Sequence, residues 1–117
     1  MCHVLVIEDE ALIADYVADL AQAAGATSVD IVGSEAEAIA AARATLPAVI
    51  LSDVDLKRGG SGPSACVAIR NEFGSIPVIF ITGTPELCDP CEYAAAILGK
   101  PIVQELVMSA FRQIAPL

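Results

Sequence analysis

Hydrophobic positions along this chain fall into two alternating patterns. His3 to Ile7, HVLVI, is a short run rich in β-branched residues and reads as a buried strand. Ala11 to Ala24 follows with helix formers, and Leu12, Ile13, Tyr16, Val17 and Leu20 recur at helical spacing. Gly25 is a fit C-terminal stop. Ser28 to Val32 reads as a second, weaker strand. Ser34 stands three residues before Glu37, a capping box that marks the start of a second helix over SEAEAIAAARATL, and Pro47 lies just past its end. Val49 to Ser52 is the third predicted strand. Lys57 to Gly62 reads as a loop, and Pro63 fits the first turn of a helix that runs to about Phe73. Gly74-Ser75 breaks that helix, and Pro77 to Ile81, PVIFI, is the fourth strand. Ala94 to Leu98 fits either a fifth strand or a stub of helix, and Ile102 to Ala115 reads as a last helix.

Strands therefore alternate with helices. Strands of near-continuous apolar residues point to a parallel sheet covered on both faces, and right-handed crossovers make this an α/β, doubly wound domain. One stretch departs from the pattern. Between Thr82 and Gly99 there is little room for a full helix, and ELCDPCEY carries a proline and a weak helical period.

Composition narrows the function. The 117 residues suit one domain spanning 1–117. The hydrophobic fraction is 56%, yet no apolar run approaches the ~20 residues of a membrane span, so no membrane partner is expected. The start, MCHVLVIEDE, carries no basic leader and meets acids at once, which predicts a soluble, cytoplasmic protein. Lys and Arg total 6 against 15 Asp and Glu, a formal net charge of -9, so a phosphate backbone would be repelled and no nucleic-acid partner is expected. The same balance suits a site that gathers carboxylates around a cation. Without a secretory leader the default for Cys2, Cys66, Cys88 and Cys91 is free thiols. Cys88-Asp89-Pro90-Cys91 has CxxC spacing but lies late, in a loop-like stretch, and a zinc site there would have to draw on Cys2, His3 or Cys66.

In a parallel open sheet, ligands bind beyond the carboxyl ends of the strands. The first strand ends in Glu8, Asp9 and Glu10, the third in Asp53, the fourth in Thr82, and Lys100 precedes the last helix. Each has an ordinary explanation alone: acids favour the start of a helix, and Asp53 could open an Asx turn. Together on one sheet edge they have a common chemistry. Clustered carboxylates repel unless a cation holds them, and a hard ion such as Mg²⁺ takes oxygen ligands. A hydroxyl and an ammonium opposite would suit phosphoryl oxygens, and a carboxylate can act as nucleophile to form an acyl phosphate.

VLVIEDEALIA, AVILSDVDL, PVIFITGT and GKPI, in this order, resemble the receiver domain of bacterial two-component response regulators, over essentially the whole chain. The resemblance implies a flavodoxin-like, five-stranded parallel sheet of strand order 2-1-3-4-5. By position, Asp53 matches the phospho-accepting aspartate, Glu8 and Asp9 the acidic pair that binds Mg²⁺, and Asp55 the position whose backbone carbonyl completes the metal shell. Thr82 and Lys100 match the hydroxyl and the lysine, and the Lys100-Pro101 bond is usually cis in the family. The implied activity is transfer of a phosphoryl group from a phosphohistidine, on a histidine kinase or phosphotransfer protein, to Asp53, with a downstream protein partner and no turnover beyond self-phosphorylation and self-dephosphorylation. The glycines of LKRGGSG would let the loop pass the metal.

Two departures follow from the same resemblance. Ile97 stands where most receivers carry a Tyr or Phe that changes rotamer on activation, with Tyr93 nearby but off the pattern. The stretch from Thr82 to Lys100 is about one helical turn short, roughly 3.6 residues, so the fourth helix is expected to be shortened, absent, or reduced to a loop around Asp89-Pro90. Two other classes fit less well. An aspartyl-nucleophile phosphatase of the haloacid-dehalogenase type would use Asp53-Val54-Asp55, but such a DxD normally follows the first strand. A receiver-like binding module would not need the full set of acids, threonine and lysine.

Overall fold

The alternation predicted above is realised as one sheet of five parallel strands: β1 (His3–Ile7), β2 (Ser28–Val32), β3 (Val49–Ser52), β4 (Val78–Thr82) and β5 (Ala96–Gly99). Their order is β2-β1-β3-β4-β5. The computed structural model describes residues 1–88 and 91–117. Among them are four α-helices: α1 (Ala11–Ala23), α2 (Glu35–Ala44), α3 (Gly62–Phe73) and α4 (Gln104–Ile114). None is long and apolar enough to cross a membrane.

The three central strands are the three with unbroken apolar runs. β3 and β4 are buried at every residue, and β1 at all but His3. The edge strands β2 and β5 are half-exposed, which accounts for their weaker pattern. Alternation along each strand divides the core in two. Val4, Val6, Leu51 and Ile79 face α1 and α4, meeting Val17, Leu20, Val107 and Phe111. Leu5, Ile7, Ile50 and Phe80 face α2 and α3, meeting Ala38, Ala42, Ala65 and Ile69. The ambiguous fifth apolar run is a strand, because pairing with β4 in the register Ile79↔Ala96 to Thr82↔Gly99 satisfies its backbone.

Local signals set the helix ends. Gly25 adopts a φ of 124°, closed to most side chains, just past Ala24, the C-cap of α1. Ser34 accepts a hydrogen bond from Glu37 N at 3.2 Å, as the capping box requires. The Glu37 carboxylate returns to Gly33 N at 3.0 Å, one residue before the cap. The expected loop ends one residue early: Ser61 caps α3 by accepting from Ser64 N at 3.1 Å, so Gly62 is already helical.

The buried face of α1 differs from the predicted stripe. Ala14, Val17, Ala18, Leu20 and Ala21 are buried, while Leu12 and Tyr16 are exposed. Small alanines bring the helix close to the sheet, and Leu12 and Tyr16, one turn apart, are left on its outer side.

Among the described residues, the β4–β5 connection holds a single three-residue 3-10 turn, Pro85–Leu87, where the other crossovers carry α-helices. The expected loop around Asp89-Pro90 lies outside the described residues. Cys88 and Cys91 are joined as a disulfide, which corrects the expectation of free thiols; their Cα atoms are 5.7 Å apart, a separation that a disulfide spans. Cys2 and Cys66 are free and buried.

Candidate functional site

Parallel strands deliver their carboxyl ends to one edge, and the backbone ladder continues just beyond them. Asp53 N donates to Ile7 O at 2.8 Å, which carries the β1–β3 pairing past Ser52 and sets Asp53 beside Glu8. Lys100 N donates to Thr82 O at 2.9 Å, and Glu8 N to Val32 O at 2.9 Å. The side chains of the site are therefore mounted on a continuous hydrogen-bonded frame rather than on free loops.

Glu8, Asp9 and Asp53 each offer a carboxylate oxygen, and these oxygens lie within 4.8 Å of one another. Lys100 Nζ donates to Glu8 Oε1 at 2.9 Å and stands 3.4 Å from Asp53 Oδ2. Asp53 Oδ1 accepts from Val54 N at 2.8 Å, Glu8 Oε2 from Glu10 N at 3.2 Å, and Asp9 Oδ2 from Lys57 N. The Lys100-Pro101 bond is cis, as the resemblance implies.

The electrostatics follow from this packing. Burial pushes the Glu8 carboxyl up; hydrogen bonds from Lys100 and Glu10 N pull it back, the Asp53 charge pushes up again, and the net result is a raised pKa. Burial pulls the Lys100 ammonium down, but the Glu8 hydrogen bond and the charges of Asp53 and Glu8 more than offset it, so its pKa is raised.

Thr82 is buried at the same edge, but its hydroxyl oxygen accepts from Thr84 N at 3.1 Å. The Asp55 side chain is exposed and outside the group of carboxylates, and its backbone forms a bridge with Ser61. Ile97 is 40% exposed, so no aromatic ring occupies that position beside the site.

Two residues of the site escaped the sequence reading. Ser52 Oγ donates to Asp53 O at 2.7 Å. Gly62 N donates to Val54 O at 2.9 Å, and a Cβ on Gly62 would overlap both the Asp53 carbonyl oxygen and Ser52 Oγ. The glycine therefore permits close approach of α3 to the Asp53 backbone rather than loop freedom. The loop's freedom comes from its neighbours Gly59 and Gly60, at φ of 135° and 78°. A glycine just before the Pro63 of a helix start was the available signal.

An open parallel sheet with this aspartate, acidic pair, threonine and lysine at one edge defines a receiver-type domain. The chain matches the model of the response regulator receiver domain over residues 4–111, and it belongs to that family. It is 37% identical over 114 residues to the phyllosphere-induced regulator PhyR of Methylorubrum extorquens, a match covering 95% of this chain and 42% of that protein. The chain thus spans less than half the length of that curated relative. Among solved structures it resembles the receiver domain of PhyR from Erythrobacter litoralis, with 31% identity, a TM-score of 0.83, and 97% and 88% of the two chains covered. It likewise resembles the anti-anti-sigma factor PhyR of Bartonella quintana, with 31% identity, a TM-score of 0.85, and 97% and 48% covered. The haloacid-dehalogenase reading lacks its topology as well, since Asp53 follows β3 and not β1.

Proposed function

We propose that this domain is a phosphorylation-dependent signalling switch in which the Asp53 carboxylate attacks the phosphorus of a phosphohistidine, the P–N bond breaks with its electron pair leaving on the partner's imidazole, and an acyl phosphate forms on Asp53. The observation that carries this reading is the single group formed by Glu8, Asp9 and Asp53, with Lys100 bridging Glu8 and Asp53. The donor set is entirely oxygen and entirely anionic, which fits Mg²⁺. Glu8, Asp9 and Asp53, with the Asp55 carbonyl, would hold that ion, which when bound supplies positive charge against the phosphoryl oxygens.

The chain's own groups do the rest. Lys100 is held charged at the mouth of Asp53 and pairs with a phosphoryl oxygen as the transferred group arrives. The Thr82 hydroxyl, whose oxygen accepts from Thr84 N, donates a hydrogen bond to another of those oxygens. The exposed Gly83 leaves the approach open. Incubation with Mg²⁺ and beryllofluoride, followed by NMR, tests the reading: an adduct confined to residues around Asp53 supports it, and the absence of any Mg²⁺-dependent shift removes it. Continuous release of phosphate from varied phosphoesters would favour an enzyme acting on external substrates instead.

Glu8 must ionise to take a cation. Its raised pKa means that the proton is held above the ordinary value of 4.5 and leaves as pH rises through the window above it. Stability of the metal-free domain from this group is full below that value and lost across the same window. Mg²⁺ affinity is therefore expected to be weaker at about pH 5 than at about pH 7.5, with protons released on binding. Calorimetry in two buffers of different ionisation enthalpy measures both; a pH-independent affinity would contradict the assignment of Glu8.

The phosphoryl donor is a histidine kinase or phosphotransfer protein that docks beside the site. Leu12 is 86% exposed at the start of α1, and the next residue, Ile13, lines a groove with Tyr16, Lys100, Pro101 and Ile102. Leu12→Asp is expected to slow transfer from a phosphohistidine protein by roughly tenfold while leaving acetyl phosphate labelling unchanged. Radiolabel transfer time courses with both donors check this. The output is a protein partner in the cytoplasm. The anti-anti-sigma role in the name of the Bartonella protein belongs to a chain about twice this length, and an anti-sigma protein is the partner we propose for this domain.

A further inference from the structure

The β4–β5 connection holds a pair of cysteines that the phosphoryl site does not use. Cys88 and Cys91 are bonded to each other there. Cys91 is 6% exposed and packs into the core layer containing Phe80, while Cys88 is half-buried, at the surface end of the bond. Tyr93 anchors the segment further: its hydroxyl donates to Pro63 O at 3.2 Å, and its ring meets Phe80 edge-on at 6.2 Å. Cys91 and Tyr93 hold this stretch against the core, and the disulfide ties Cys88, next to the 3-10 turn at Pro85–Leu87, to that anchor. A covalent tie of this kind narrows the states open to the segment, and its removal restores them.

We propose that Cys88 and Cys91 form a reversible thiol–disulfide site, reduced by a low-molecular-weight thiol and re-formed by the corresponding disulfide, whose state sets the order of the β4–β5 connection. An incoming thiolate attacks Cys88 Sγ, the sulfur nearer solvent. The Cys88–Cys91 bond breaks, and its electron pair leaves on Cys91 Sγ, which takes a proton. A second thiolate attacks the small-molecule sulfur of the mixed disulfide, and Cys88 leaves and is protonated. The domain gains two electrons and two protons, and two small thiols become one disulfide. Cys2 and Cys66 do not compete, being buried, and burial pushes the Cys66 thiol up to about 12. This redox site does not depend on Asp53 being phosphorylated.

The test uses glutathione as probe. The whole domain is equilibrated in oxidised and in reduced glutathione, quenched in acid, denatured and alkylated, and the thiols are counted by mass. Cys88 and Cys91 are expected to be alkylated only after the reduced buffer, and Cys2 and Cys66 after both. Hydrogen exchange of peptides covering 83–95 is expected to be at least about threefold faster in the reduced form. Cys88→Ser should show the fast pattern in both buffers, and Cys91→Ala, a small apolar replacement at the buried position, should do the same. A thiol count that does not change between buffers, equal exchange in the two states, or a redox response that survives in both variants would overturn the proposal.

Discussion

Asp53→Asn is expected to abolish labelling by acetyl phosphate while the domain stays folded. The amide has nearly the shape of the carboxylate, so its oxygen still accepts the Val54 N–H that Asp53 Oδ1 now accepts at 2.8 Å. The ladder bond from position 53 to Ile7 O uses the backbone and is untouched. What disappears is the proposed nucleophile, since an amide oxygen does not form a stable acyl phosphate. One of three clustered carboxylates is lost as well, and Mg²⁺ affinity should fall by at least about tenfold. Intact mass after acetyl phosphate treatment, together with circular dichroism, reads both parts. Residual labelling at the parent rate would place the acceptor elsewhere.

Gly62→Ala carries the largest expected structural cost. The added methyl would overlap the carbonyl oxygen of Asp53 and the hydroxyl of Ser52. Neither is the free end of a flexible side chain: the carbonyl belongs to the site backbone, and Ser52 is buried with its hydroxyl bonded to that carbonyl. Relief requires either α3 to withdraw its first turn or Asp53 to shift, and the Gly62 N to Val54 O bond opposes both. A loss of about 2 kcal/mol or more is expected, or roughly 10 °C in melting temperature for a domain of this size. The Mg²⁺-dependent beryllofluoride response should weaken along with it. Gly74→Ala is the contrast. Its φ is 91° and ψ -168°, a conformation that favours glycine, but nothing lies near a Cβ, so it should cost about 1–3 kcal/mol of backbone strain and leave the site response intact. Thermal melts of the two variants with and without Mg²⁺ separate packing at the site from ordinary strain. Equal melting and equal Mg²⁺ response would show that the contact at Gly62 is unimportant.

Much of this arrangement was legible in the sequence, for a topological reason. Once apolar runs alternate with helices, the strands must be parallel, and residues that follow them must share an edge. Glu8, Asp9, Asp53, Thr82 and Lys100 could therefore be brought together without knowing a single distance. Features set by closeness rather than order could not be read this way. Leu12 and Tyr16 lie at helical spacing with Val17, and only the tight seat of Ala14, Ala18 and Ala21 on the sheet decides which of them is buried. Gly62 looked like one more loop glycine because its role depends on how near α3 comes to a carbonyl. The Thr82 hydroxyl stands at the predicted edge, yet it is turned to Thr84, a choice of rotamer that sequence does not carry. The pairing of Cys88 with Cys91 was opposed by a compartment argument, and that argument says nothing about the local separation of two particular residues.

That Asp53 is the phosphoryl acceptor is tested most directly by chemical trapping. The domain is incubated with Mg²⁺ and acetyl phosphate, reduced with borohydride, digested and sequenced by mass spectrometry. An acyl phosphate is reduced to the alcohol, so homoserine is expected at position 53 and at no other acidic residue, and only in samples that received both Mg²⁺ and the phosphoryl donor. Homoserine at Asp9 or Asp55, or its absence from position 53 in a folded, Mg²⁺-loaded sample, would contradict the assignment.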